Sequence, residues 1–212
     1  IFAAGHADIV AGITTTKADT AIVDCEFVNN TTSENFLTEI KGHLTTNKVI
    51  AEAFGDLTTD PGWRAQAVTL ATRERPQKEP SIDTTGRDAT KTGMHYDMLV
   101  ADDLVNETNV ESMEQRDKVW RHFQDLFALL NPNRGQIVLV GTRWHMDDIY
   151  GRILEQMDKG NPLGFKAMVK RAEYPDGTLL MPKLLNRAVL DLQRELMGPY
   201  KYAAQMLNMP IP

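Results

Sequence analysis

The sequence has little that would tie a protein to a membrane, an oxidising compartment or a static grip on nucleic acid. One cysteine, Cys25, occurs in 212 residues, so no internal disulfide can form, and its apolar neighbours suit a reduced core thiol in a cytosolic setting. No apolar run approaches the ~18 residues that a membrane span needs. The start, IFAAGHADIV, lacks the basic residues of a secretory signal. The five histidines (His6, His43, His95, His122 and His145) are scattered without the spacing of a zinc site. Positive charge is also short: 23 Lys and Arg against 29 Asp and Glu leave a net −6. Any contact with DNA is therefore expected to be local, transient or shared with another subunit. What remains, 42% hydrophobic and 25% charged, is the composition of a globular domain with a sizeable core.

The stretch that organises the rest is MLVADDL, residues 98–104. A short apolar run bounded by polar residues reads as a buried strand, central in a parallel sheet. It ends in two adjacent carboxylates, Asp102 and Asp103. Ligands of open α/β sheets bind outside the carboxyl ends of the strands, and paired acids there are costly unless a cation or reacting group uses them. This is a Walker B pattern: Asp102 would hold Mg²⁺ through its water shell and Asp103 would orient an attacking water. The plainer reading, a polar turn or helix cap, stands beside it.

Before this strand, residues 21–28 (AIVDCEFV) read as a strand, Ser33 opens a helix with Phe36, Leu37, Ile40 and Leu44 on one face, and residues 47–54 form a short helix closed by Gly55. A turn at Asp60-Pro61-Gly62 leads to two strands, AVTLAT (67–72) and SIDTT (81–85), as a hairpin or sheet edge. Gly5-His6-Ala7 is the place for a phosphate loop, although G-x-x-x-x-G-K-[ST] is absent. A basic loop, GRDATKTG, carries Arg87 and Lys91; by itself it reads equally as solvated surface.

After the acid pair, Ser112 and Gln115 fit a capping box. The helix that follows carries Val119, Trp120, Phe123, Leu126, Phe127 and Leu130 as a core-facing stripe. QIVLV (136–140) is another buried strand, followed at once by Gly141-Thr142-Arg143-Trp144-His145 and a helix with Ile149, Ile153, Leu154 and Met157 on one side. Strand, acid pair, helix, strand, Thr-Arg is a βαβ unit, which brings both strand ends to one rim. Asp102, Asp103, Thr142 and Arg143 are thus expected to converge. Arg143 and Thr142 would then sense a γ-phosphate; alternatively, Arg143 neutralises the acid pair as a structural ion pair. Asp147-Asp148 either open that helix as dipole partners or, with Asp102 and Asp103, supply the acids of a metal-dependent nuclease. Farther on, residues 165–170 suit a strand, Tyr174 to Gly177 a turn, residues 186–197 a helix stopped by Gly198-Pro199, and residues 200–208 a last helix.

With these residues in hand, the chain resembles the ATPase domain of the terminase large subunit family, the motors that package DNA into tailed-phage capsids. The matching pieces are NNTTSENFLTEIKGHL, TGMHYDMLVADDLV, GTRWHMDDIYGRI and GPYKYAAQMLNMP; TG-H-x-D before the acid pair, followed about forty residues later by GTRWH, is the specific combination. The resemblance implies an α/β fold of the ASCE P-loop NTPase type, with a mostly parallel central sheet flanked by helices. Residues 1–160 would be the ATPase core and 161–212 a small helical lid leading toward a nuclease domain absent from this sequence. It implies ATP and Mg²⁺ as ligands, and double-stranded DNA, a portal protein and a small terminase subunit as partners. A homo-oligomeric ring acting in the host cytoplasm, transiently on the procapsid and without a membrane, is implied as well. It makes Asp102 the metal-holding Walker B aspartate, Asp103 the catalytic carboxylate and Thr142-Arg143 the coupling motif. Gly5 and His6 fall at the phosphate loop, and Arg87 or Lys91 would act as an arginine-finger-like cation toward a neighbouring subunit. One departure is plain: GHADIV places Asp8 near the Lys of the phosphate loop, where an acid would repel phosphate, so a nucleotide-dead assembly subunit is the non-enzymatic alternative.

Overall fold

The computed structural model describes residues 9–11, 21–25, 30–58, 63–74, 77–86 and 93–212, with side chains from residue 34 onward except those of 85 and 86. In chain order the elements are β1 (Ile9–Ala11), β2 (Ala21–Cys25), α1 (Asn30–Thr46), α2 (Lys48–Phe54), β3 (Ala67–Val68), β4 (Ile82–Gly86), β5 (Met98–Asp102), α3 (Met113–Phe127), β6 (Gln136–Gly141), α4 (Ile149–Asp158), β7 (Ala167–Val169) and α5 (Arg187–Gln205). The chain is α/β. It divides into two compact units, one holding the described residues of 14–102 and 124–138, the other those of 1–13, 103–123 and 139–212.

In the first unit the strands run β3-β4-β2-β5, with the start of β6 beside β5. β2 lies parallel to both neighbours, Ala21 facing Ile82 on one side and Met98 on the other, while β3 is antiparallel to β4. Along β5 the fully buried Leu99 and Ala101 alternate with half-buried Met98, Val100 and Asp102, the pleat that a covered strand presents. The entry to β5 is pinned by polar groups. Tyr96 is buried and its hydroxyl donates to Asp83; burial and that carboxylate push the phenol up, keeping it a donor. Asp97 is buried as well and accepts from Arg134 (2.7 Å) and Asn131 (3.3 Å), tying the start of β5 to the turn before β6. Gln136 N–H then donates to Asp97 O at 2.9 Å.

Three sequence expectations change here, one being that α1 starts at Asn30 and not at Ser33. AVTLAT pairs only over β3, because Leu70 N–H turns to the Ser81 hydroxyl (3.1 Å) and Ala71 N–H to Leu57 O (3.1 Å), which takes the chain off the sheet. In α1, Leu37 is the buried anchor but Phe36 is exposed, since adjacent positions point about 100° apart on a helix. α2 follows the sequence closely: Asn47 caps it by accepting from Val49 and Ile50 N–H, and Gly55 ends it at φ 76°. Asp60-Pro61-Gly62 and the Cys25 side chain lie outside the described residues.

In the second unit the order is β6-β1-β7, both pairings antiparallel, with Val10 facing Val140 and Met168. α3 opens on the capping box, Gln115 N–H to the Ser112 hydroxyl at 3.2 Å and Ser112 N–H to the Gln115 side chain at 3.0 Å. Its stripe buries Val119 and Phe123, and Phe123 stacks on Trp120 and Phe165 at centroid distances of 5.6 and 6.3 Å. The C-terminal segment builds its own core from Ala172, Leu185, Leu190, Tyr202 and Met206. α5 is broken at Gly198 (φ 73°), where Pro199 follows, so it is two helical arms joined at an angle.

Because Leu190 is fully buried and Leu196 is 76% exposed on the same helix, they separate packing from composition. Leu190→Ala is expected to lower the unfolding free energy by about 2–5 kcal/mol and Leu196→Ala by less than about 0.5 kcal/mol, as read from urea denaturation.

Candidate functional site

The acid pair ends β5 as the sequence suggests. Asp102 is the last strand residue and half-buried; Asp103 is exposed and has a left-handed backbone, φ 49°. A non-glycine residue held there is uncommon, and such strain concentrates at functional sites. Asp103 N–H still reaches across to Val140 O at 2.9 Å. The backbone of Asp103 therefore lies against the end of β6, two residues before Thr142. Past the acids, Leu104 and Val105 are buried, and Asn106 with Asn109 closes a tight loop: Asn109 N–H donates to Asn106 (3.0 Å) and the Asn109 amide donates to Leu104 O (3.0 Å).

The exit from β6 is built around one carboxylate. Asp148 is 1% exposed and accepts three backbone N–H groups, from Trp144 (2.8 Å), His145 (3.1 Å) and Gly151 (2.8 Å), so it both caps α4 and closes the loop that precedes it. Burial pushes its carboxyl above the ordinary range, and these donors with the Arg143 guanidinium oppose that shift. Arg143 Nη2 donates to Met146 O at 3.2 Å and Nε lies 3.9 Å from Asp148. The Arg143 backbone N–H donates to the side chain of Asn208 at 2.9 Å. Thr142, 5% exposed, lies between this loop and the strand. Gly141 has no substitute: a Cβ there would sit 1.9 Å from the Tyr150 hydroxyl, which donates to Val140 O at 2.9 Å.

The neighbouring carboxylate has a different environment. Asp147 accepts from Arg152 (2.8 and 2.9 Å) and from Arg116 (3.2 Å), and these cations hold its carboxyl at about 2. Arg152 also pairs with Asp117 at 2.7 Å and lies 6.0 Å from the Trp120 ring centroid, joining α3 to α4. Burial, then Arg116, lowers the His145 pKa, and its Nδ1 accepts from Asp147 N–H at 2.9 Å.

Of the residues singled out in the sequence, Asp103, Thr142 and Arg143 belong to the second unit, where the Asp103 backbone bonds Val140, and Asp102 closes β5. Arg143's contacts run to Met146 and Asp148. Gly5, His6, Arg87 and Lys91 lie outside the described residues. Among those described, no group of three or more His, Cys, Asp or Glu is arranged to hold a metal, and no helix is long and apolar enough to cross a membrane. Asn208, Arg116 and Arg152 escaped the sequence reading. The first shows there only as an asparagine after a helix, the others as ordinary helix-surface cations.

No protein-family profile matches the chain. A curated phage protein does: the chain is 28% identical over 122 residues to the large terminase subunit of Enterobacteria phage T3. The relationship is terminase-like and distant. It covers 57% of this chain and 20% of that protein, so the chain spans about a fifth of the length of the relative it matches.

Asp147 and Asp148 are separable experimentally. Both oxygens of Asp148 accept N–H groups, so Asp148→Asn sets an amide NH₂ against a backbone donor and is expected to cost roughly 1–3 kcal/mol at neutral pH. Asp147 has a folded pKa below the ordinary carboxylate value of 3.8, so its contribution is present above that pH and is lost as pH falls toward about 2. Asp147→Asn should cost less at neutral pH, where solvent screens the pair, and its difference from the parent should close between those two values in thermal unfolding measured against pH.

Proposed function

We propose that this chain is the ATPase portion of a viral DNA-packaging motor, a P-loop NTPase-like domain that couples Mg²⁺-dependent ATP hydrolysis to movement of double-stranded DNA into a capsid. The observation that carries the reading is the left-handed acid, Asp103, fastened by its backbone to the β6 strand that leads into Thr142-Arg143. The distant likeness to a terminase large subunit supports the same reading.

The donor set at the end of β5 fits the ion: Asp102 and Asp103 offer only carboxylate oxygens, the ligands a hard divalent cation prefers. Asp102 would hold Mg²⁺ through its water shell, and Asp103 would orient the attacking water and take up its proton. Bound Mg²⁺ would neutralise charge on the β- and γ-phosphates. Thr142 and Arg143 would pass the state of that site to the loop held by Asp148. Gly5 and His6 are the residues assigned to the phosphate loop, and Arg87 or Lys91 would act as an arginine-finger-like cation toward a neighbouring subunit. In the cell we place the protein in the host cytoplasm as a homo-oligomeric ring, with the portal and a small terminase subunit as partners. The acidic net charge suits a motor that touches DNA locally and transiently. Residues 161–212 would act as the lid on a core of residues 1–160.

Asp8, an acid near the position of the phosphate-loop lysine, favours one second reading, a nucleotide-dead assembly subunit. A nuclease gains no such support, because Asp147 and Asp148 are committed to arginines and backbone amides.

In the full-length protein, Asp103→Asn is expected to leave a fluorescent ATP analogue bound while phosphate release falls by about 10²–10⁴-fold. Unchanged turnover would contradict the role given to Asp103, and absence of nucleotide uptake by the parent protein would favour the assembly subunit.

A further inference from the structure

The residue that holds the β6 exit from the far side is 65 positions away in sequence. Asn208 is 1% exposed, follows α5, and has a left-handed backbone at φ 48°. Its side-chain oxygen accepts from Arg143 N–H at 2.9 Å, and its side-chain nitrogen donates to Lys170 O, just past β7, at 3.1 Å. Its own N–H and that of Met209 turn back to Ala204 O (3.2 Å) and Ala203 O (3.0 Å), fixing it to the end of the helix. One short side chain thus satisfies a donor at the exit of β6 and an acceptor at the exit of β7. Two further contacts come from the same arm of α5, beyond the break at Gly198. Tyr200 donates to Trp144 O at 3.3 Å, and Lys201 pairs with Glu107, in the loop after the acid pair, at 2.7 Å.

Asparagine suits this position on two counts. With Asp, it tolerates the left-handed conformation better than other residues with a Cβ, and its amide places an acceptor and a donor on separate atoms within the same short reach. Without Asn208, the Arg143 N–H and the Lys170 O would each lose a partner at a partly buried site.

We infer that Asn208 is a positioning residue for the Thr142–Arg143 backbone, by which the C-terminal arm of α5 sets the geometry of the β6 exit. Its effect on turnover rests on the ATPase reading above; its effect on the Arg143 amide does not. A shift of this arm would therefore move the Arg143 backbone, and with it the residues assigned to sensing nucleotide.

The test compares Asn208→Gly and Asn208→Asp in the full-length protein. Glycine accepts the left-handed backbone and removes both side-chain bonds; aspartate keeps the acceptor for Arg143 N–H and loses the donor to Lys170. Hydrogen exchange followed by NMR should show the Arg143 amide exchanging about tenfold faster or more in Asn208→Gly and close to the parent rate in Asn208→Asp. The Trp144 amide, held by Asp148, and the Leu190 amide, held within α5, should keep their rates in both. In the ATPase assay, Asn208→Gly should lower kcat by about tenfold with KM for ATP within about twofold. An unchanged Arg143 rate in Asn208→Gly would overturn the inference. So would equal acceleration of all three amides, or equal Arg143 rates in the two variants. Should the parent protein hydrolyse no ATP, the ATPase reading falls, and the exchange rates decide the positioning role by themselves.

Discussion

A buried carboxylate with no room to be left unsatisfied governs the segment from Gly141 to Gly151. Asp148 cannot shed its charge cheaply in that setting without giving up acceptors, and it cannot keep the charge without donors. Three backbone N–H groups meet the need, and meeting it shapes the chain: β6 must end at Gly141, the loop must curl back over the carboxylate, and α4 must start where it does. Gly151 belongs to the same solution, since a Cβ there would fall 2.0 Å from Met146 O. The Arg143 side chain is drawn into this loop, so its backbone N–H and its guanidinium are anchored separately, one by Asn208 and the other by Met146 and Asp148.

That division of labour is compatible with the coupling role proposed for Thr142-Arg143. A rigid loop transmits displacement, whereas a solvated one absorbs it, and the Arg116–Asp147–Arg152–Asp117 chain stiffens its outer side by linking α3 to α4. The acid pair has a contrasting character. Asp103 is exposed and held in a conformation that costs of order 1–3 kcal/mol, so surrounding structure must impose it. The bond from its N–H to Val140 O supplies one such constraint, and the burial of Leu104 and Val105 immediately after supplies another.

Much of this was legible in the residues. The β5 strand and its terminal acids, the Ser112–Gln115 capping box, the α2 helix closed by Gly55 and the Gly198-Pro199 break all depend on local pattern, and local pattern is what a sequence displays. The partners of Arg143 were not, although the reading came close. The residues alone make Arg143 a γ-phosphate sensor or, alternatively, an ion-pair partner of the acids at the end of β5, whereas Asp148 lies five residues ahead of it and is brought under the loop by a turn that no composition rule specifies. Asn208 was hidden more deeply, because its meaning comes from Arg143 and Lys170, distant residues that only the fold brings to it. The over-long AVTLAT strand failed for a related reason: a serine hydroxyl from β4's approach outcompeted the sheet for the Leu70 N–H.

We propose that the end of β5 holds a magnesium nucleotide, and calorimetric titration tests this most directly. Full-length protein and its Asp102→Ala variant would be titrated with ATP in the presence of Mg²⁺ and again with excess EDTA. The account predicts binding by the parent that weakens at least about tenfold on metal removal, with the variant matching the metal-free parent under both conditions. Equal affinity with and without Mg²⁺, or an Asp102→Ala variant that binds as the parent does, would contradict it.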